Sequence, residues 1–113
     1  MEKHDIVRDG QKSSEKESRM QENTIVKGIL AYLRSRDDCF CWKEHGGIYG
    51  TAGLPDIVCC YKGKFVAFEV KQPKGKVTDL QRRTIEQINS AGGAAMVVRS
   101  VDEVKAMLMD FEE

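Results

Sequence analysis

GLPDIVCCYKGKFVAFEVKQPKG, residues 53–75, reads as two strands joined by a tight turn. Residues 56–61 and 64–71 are rich in β-branched and aromatic side chains, and Lys62-Gly63 between them supplies turn chemistry. Three ionisable residues, Asp56, Glu69 and Lys71, fall among these apolar positions, where charge carries a cost unless it has a purpose. Alternation along a strand sends Val66, Phe68 and Val70 to one face and Phe65, Ala67, Glu69 and Lys71 to the other. Glu69 and Lys71 then stand ~6.6 Å apart, two strand rises of ~3.3 Å, just before Pro73 ends the ladder. A tight turn makes the two strands antiparallel, so Asp56 at the start of one is expected beside Glu69 and Lys71 at the end of the other.

Working outward, Thr78 and Gln81 match a capping box that opens a helix with Leu80, Ile85, Ile88 and Ala91 as its apolar side. Gly92-Gly93 ends that helix, and AAMVV (94–98) is expected as a fully buried strand. Ser100 and Glu103 form a second box before a last helix with Val104, Met107, Leu108 and Phe111 inward. Upstream, EHGGIYGTAG (44–53) is a glycine-spaced loop without the strand–loop–helix setting of a phosphate cradle. CFCW (39–42) is a short strand. Val26, Ile29, Leu30 and Leu33 recur at helical spacing from Met20 to near Asp37. Residues 1–19 are polar and mixed in charge, and are expected as an N-terminal arm preceding a domain over 20–113. The order is α-β-β-β-α-β-α, an α/β fold whose one mixed sheet is flanked by helices.

Composition bounds the function. The chain has 113 residues, one domain by length, and its 18 Lys and Arg balance 18 Asp and Glu. Net charge therefore gives no global sign of a polyanionic partner, yet Lys62, Lys64, Lys71, Lys74, Lys76, Arg82 and Arg83 fall in one stretch. No apolar run approaches the ~20 residues of a membrane span, and the N-terminus lacks a signal-peptide core. An intracellular, cytoplasmic protein is expected. Cys59 and Cys60 are adjacent in a strand and should face opposite sides, and the C-x-C of Cys39 and Cys41 misses zinc-ligand spacing. Reduced, packed thiols are the expectation.

Two carboxylates converging at a strand end repel each other, and a divalent cation offsets that repulsion. Magnesium takes hard oxygen ligands, often two carboxylates completed by waters and substrate phosphate. Such an ion polarises a phosphoryl oxygen, and a neighbouring lysine can orient water or stabilise developing negative charge. The competing reading is a purely structural Asp/Glu/Lys ion-pair cluster.

Pro55-Asp56 followed by Glu69-Val70-Lys71 resembles the PD-(D/E)XK nuclease superfamily and its restriction-endonuclease-like core. More narrowly, GLPDIV, FEVKQPKGKVTDLQ and AGGAAMVVRSVDEV resemble the VRR-NUC (virus-type replication-repair nuclease) domain, a family with small stand-alone phage members. The resemblance runs from about Met20 to the last helix. It implies phosphodiester hydrolysis with Mg²⁺ or Mn²⁺, with Asp56, Glu69 and the Val70 carbonyl as metal ligands and Lys71 positioning the attacking water. It further implies a role for Gln81, in competition with capping, and for a first-helix glutamate, for which Glu22 fits best and Glu17 is the fallback.

Lys62, Lys64, Lys74, Lys76, Arg82 and Arg83 are expected to flank the site and to contact DNA phosphates. No base-reading module is present in the sequence, so DNA shape is the expected target. The resemblance to junction-cleaving stand-alone members implies four-way (Holliday) or other branched DNA and a homodimer, in phage replication and repair within the bacterial host. A restriction-type or archaeal-type junction endonuclease of the same fold, or a catalytically silent DNA-binding module, are the alternatives.

Overall fold

A computed structural model describes the backbone of residues 2–46 and 50–112, and side chains from Ser14 onward. Residues 47–49 of the glycine-spaced loop, with Met1 and Glu113, lie outside the described residues. The elements are α1 (Glu2–Arg34), β1 (Cys39–Lys43), β2 (Ile57–Tyr61), β3 (Lys64–Val70), α2 (Asp79–Ser90), β4 (Ala94–Val98) and α3 (Val101–Asp110). Order and class are those expected. The first helix differs in length: it starts at Glu2 rather than near Met20. Its polar first half has no apolar stripe to betray a helix, but Lys, Glu and Gln are good helix formers.

The sheet order is β1-β2-β3-β4. β1–β2 and β2–β3 are antiparallel, and β3–β4 is parallel across α2. Lys62 and Gly63 both take positive φ, 50° and 83°, the twist that a two-residue hairpin turn demands. One face of the sheet carries Ile57, Cys59, Tyr61, Val66, Phe68 and Val70 against Val26, Ile29, Leu30 and Leu33 of α1 and Val104 and Leu108 of α3. Gly28 lets the two helices approach, since a Cβ there would lie 3.2 Å from Val101 Cγ2. Cys59 is buried and Cys60 exposed, on opposite faces as alternation requires.

Four expectations need correction. The fully buried strand is an edge strand, so Met96 and Val97 are only half-buried. α2 lies over it less by apolar packing than by a polar clamp: Asn89 Nδ2 donates to Ala95 O and Ala95 N donates to Asn89 Oδ1, at 3.1 and 2.7 Å. Only Thr84 of α2 is buried, and Leu80 is 45% exposed. The Thr78–Gln81 capping box is complete, but the second box is half-formed. Ser100 Oγ accepts from Glu103 N, whereas Glu103 Oε1 accepts from Arg99 N instead of closing the box. Phe111 stays partly exposed, its ring 6.4 Å from that of Tyr61.

Candidate active site

The register Ile57↔Phe68, continued one step, sets Asp56 across from Glu69. Asp56 lies just outside β2, where the strand has yet to begin, and its Oδ2 accepts from Val70 N at 2.7 Å. That bond fixes the carboxylate against the end of β3. Glu69 is 2% exposed, and its Oε2 is buried with no hydrogen-bond partner. Lys71 Nζ lies 3.8 Å from Glu69 Oε1, and Lys71 is itself buried.

The electrostatics of this trio are unresolved by the protein's own groups. Burial pushes the Glu69 carboxyl up to about 8, and the facing Asp56 carboxylate adds to the rise while Lys71 opposes it. With Glu69 ionised, two carboxylates would face one ammonium, and Glu69 Oε2 is an orphaned acceptor in a dry place. A core that needed only an ion pair would satisfy that oxygen, because an unpartnered buried acceptor costs about 1–3 kcal/mol. A hard divalent cation fits the donor set: two carboxylates from adjoining strand ends, with the Val70 carbonyl between Glu69 and Lys71 in the chain.

Gln81 sits in the first turn of α2 with its side chain committed to the cap, its Oε1 accepting from Thr78 N at 3.0 Å. Glu22 is half-buried on α1 and Glu17 is exposed. No group of three or more His, Cys, Asp or Glu side chains suited to a metal occurs among the described residues, so neither glutamate joins the pair. The reason is the pleat. Glu69 and Lys71 project from the face opposite to the one that α1 covers.

The basic residues divide. Lys74 and Lys76 are exposed on the segment that follows Lys71, and Arg82 and Arg83 are exposed at the start of α2. Arg82 is held by Asp79 at 3.2 Å. Lys62 and Lys64 do not flank the site, contrary to expectation. They occupy the turn end of the hairpin, ~20 Å away at ~3.3 Å per strand residue. Lys62 pairs there with Glu112 at 3.3 Å, and Lys64 covers the Phe111 ring.

Two neighbours were not singled out from sequence. Glu44 N donates to Asp56 O at 2.8 Å, and both residues line a cleft of about 410 Å³ with Leu54 and Thr51. Glu44 Oε2 accepts from Trp42 Nε1 at 3.1 Å. The W-K-E alternation could have placed Glu44 on the face of Trp42. Arg99 grips the loop after Lys71 through three carbonyls. Nothing in its spacing announces this, since the contact depends on the parallel register of β4.

The model of the VRR-NUC domain family matches residues 11–102. The chain belongs to the VRR-NUC domain family. VRR-NUC is a nuclease family, and this chain has its nuclease-type fold. A solved VRR-NUC domain is similar at 22% identity and a TM-score of 0.67, over 79% of this chain and 95% of its own. A second solved VRR-NUC domain protein shows 17% identity and a TM-score of 0.61, over 80% and 86% respectively. At these identities the solved structures speak for the VRR-NUC fold alone. The comparison with curated proteins found no match. No helix among the described residues is long and apolar enough to cross a membrane.

Proposed function

We propose that this protein is a metal-dependent endonuclease that hydrolyses phosphodiester bonds in branched DNA, four-way junctions foremost. The observation that carries the reading is the pair of facing carboxylates, Asp56 and Glu69, with the orphaned Glu69 Oε2 beside the buried Lys71 ammonium. Asp56, Glu69 and the Val70 carbonyl would hold Mg²⁺ or Mn²⁺. The bound ion supplies charge neutralisation at the phosphoryl oxygens and acidifies a bound water.

The chain's own residues do the rest. Val70 N keeps Asp56 aimed across the strand pair. Lys71, held near Glu69 and shielded from solvent, keeps a donor where an attacking water or a developing phosphorane charge would sit. The Gln81 amide stands at the N-terminus of α2, where backbone donors favour an anion. Lys74, Lys76, Arg82 and Arg83 supply sequence-independent contacts to flanking phosphates. The absence of a base-reading element in the sequence supports recognition of shape. Selection of branched substrates and a homodimer with two sites follow from the family resemblance, and a chain of 12.7 kDa offers one duplex arm little surface alone.

The test is incubation with Mg²⁺ and, separately, Mn²⁺ on end-labelled four-way junction, flap and linear duplex. Cutting of the branched substrates ahead of the linear one is expected. Intact DNA under both metals would remove the nuclease reading, and cutting at one linear sequence would replace shape selection with sequence selection.

A further inference from the structure

Arg99 ends the peptide run of β4 and reaches back over the loop that leads away from Lys71. Val70 lies opposite Val98, and Lys71 N still donates to Val98 O at 3.0 Å. Past that bond the chain leaves the sheet and doubles back. Gly75 N donates to Gln72 O at 2.9 Å, and Lys74 N to Gln72 Oε1 at 3.3 Å. The carbonyls of Gln72, Pro73 and Gly75 converge on one atom, Arg99 Nη1, at 2.8, 3.3 and 2.9 Å. Converging carbonyl oxygens repel one another, and Pro73 and Lys74 in the loop are exposed. The guanidinium adds to the turn's own two bonds by holding three of its carbonyls together. Nη1 carries two N–H donors for the three acceptors, and the positive charge of the group offsets the repulsion among them.

Charge points the same way. Among the described residues no carboxylate pairs with the Arg99 guanidinium, nor with Lys74 or Lys76. Glu103, the nearest acid in its contacts, accepts from the Arg99 backbone amide instead. Three cations thus share one short loop without a counter-charge, beside the proposed metal site. A folded chain gains nothing from that crowding, whereas a polyanion laid across the loop does.

We infer that Arg99 is a positioning residue, which templates the turn of Gln72 to Gly75 so that Lys74 and Lys76 meet the DNA backbone flanking the scissile phosphate as a fixed pair. The inference takes its substrate from the nuclease reading above. Arg99 itself, engaged with carbonyls, does not touch the phosphate.

The experiment is a double-mutant cycle in binding, read by fluorescence anisotropy of a labelled four-way junction with Ca²⁺ replacing Mg²⁺. In the natural chain, Lys74→Ala with Lys76→Ala weakens binding about 10-fold or more at low salt, and in an Arg99→Gln background the same pair costs less than about 2-fold. Arg99→Gln alone lowers the slope of log K against log salt by roughly 1.8, two contacts at ~0.9 each. Amide exchange quickens at 74–76 while β3 and β4 keep their protection. Should Arg99→Gln not fold by circular dichroism, Arg99→Met carries the same cycle, because it keeps a long side chain and loses every donor. Losses that simply multiply, or a slope change of ~0.9, would overturn the inference by making Arg99 a direct phosphate contact. Binding without cutting in Mg²⁺ would sink the nuclease reading while the cycle still judges Arg99. No binding at all would sink both.

Discussion

Asp56 and Glu69 reach each other from strand ends that a two-residue turn forces into antiparallel register, and their mutual cost is visible in Glu69. Its carboxyl is raised by burial first and by Asp56 second, to about 8. A carboxyl raised on folding contributes stability that is complete below its unfolded value near 4.5 and is lost as pH climbs through about 8. The metal-free protein is therefore expected to lose stability from about pH 4.5 towards 8, and Glu69→Gln to flatten that slope in urea melts taken across the range. A profile unchanged by the substitution would mean that the Glu69 carboxyl is not raised on folding. For activity, Lys71→Ala is expected to cut the rate on a four-way junction by roughly 10²–10³, with the circular dichroism spectrum retained. A variant that cuts at the natural rate would remove Lys71 from the chemistry.

At the scale of elements, capping and alternation were legible in the chain because they are local. Thr78 and Gln81 close a full box, and Val66, Phe68 and Val70 take one face of β3 while Glu69 and Lys71 take the other. What could not be read depends on contacts remote in sequence. Glu103 leaves its box open and accepts from Arg99 N at 3.0 Å instead. Leu80 stays exposed in the first turn of α2, and Asn89 near the helix's other end binds the edge strand at Ala95 by two hydrogen bonds. Glu22 is half-buried on α1, and among the described residues no third carboxylate forms a metal-suited group with Asp56 and Glu69. The full box gives a contrast to measure. Thr78→Ala should cost about 1 kcal/mol in urea denaturation by removing the Oγ1 acceptor of Gln81 N, while the backbone N–H of residue 78 still donates to Gln81 Oε1. Thr78→Ala combined with Gln81→Ala should cost more than Thr78→Ala alone, since in this box, unlike the one at Ser100, the reciprocal bond forms. Equal losses would mean that the reciprocal bond adds nothing.

Across the whole molecule the two ends of the hairpin do different work. The turn end is a clasp: Tyr61 Oη donates to Glu112 at 2.6 Å, Lys62 joins the same carboxylate, and Arg36 lies over the Tyr61 ring. It ties α1, the hairpin and the end of α3 together. The open end holds the carboxylates and the unpaired lysines of the following loop. With net charge zero, any pull on DNA must come from that local imbalance and should fade steeply with salt. The second copy proposed for branched DNA predicts a solution mass about twice 12.7 kDa by light scattering, and a monomer at assay concentrations would remove it. The central claim, however, is ion uptake between two strands. Isothermal titration of Mn²⁺ into the natural chain and into Asp56→Asn and Glu69→Gln tests it without any DNA. Saturable binding by the natural chain, lost in both variants, is the predicted result. No heat from the natural chain, or equal uptake by all three, would contradict it.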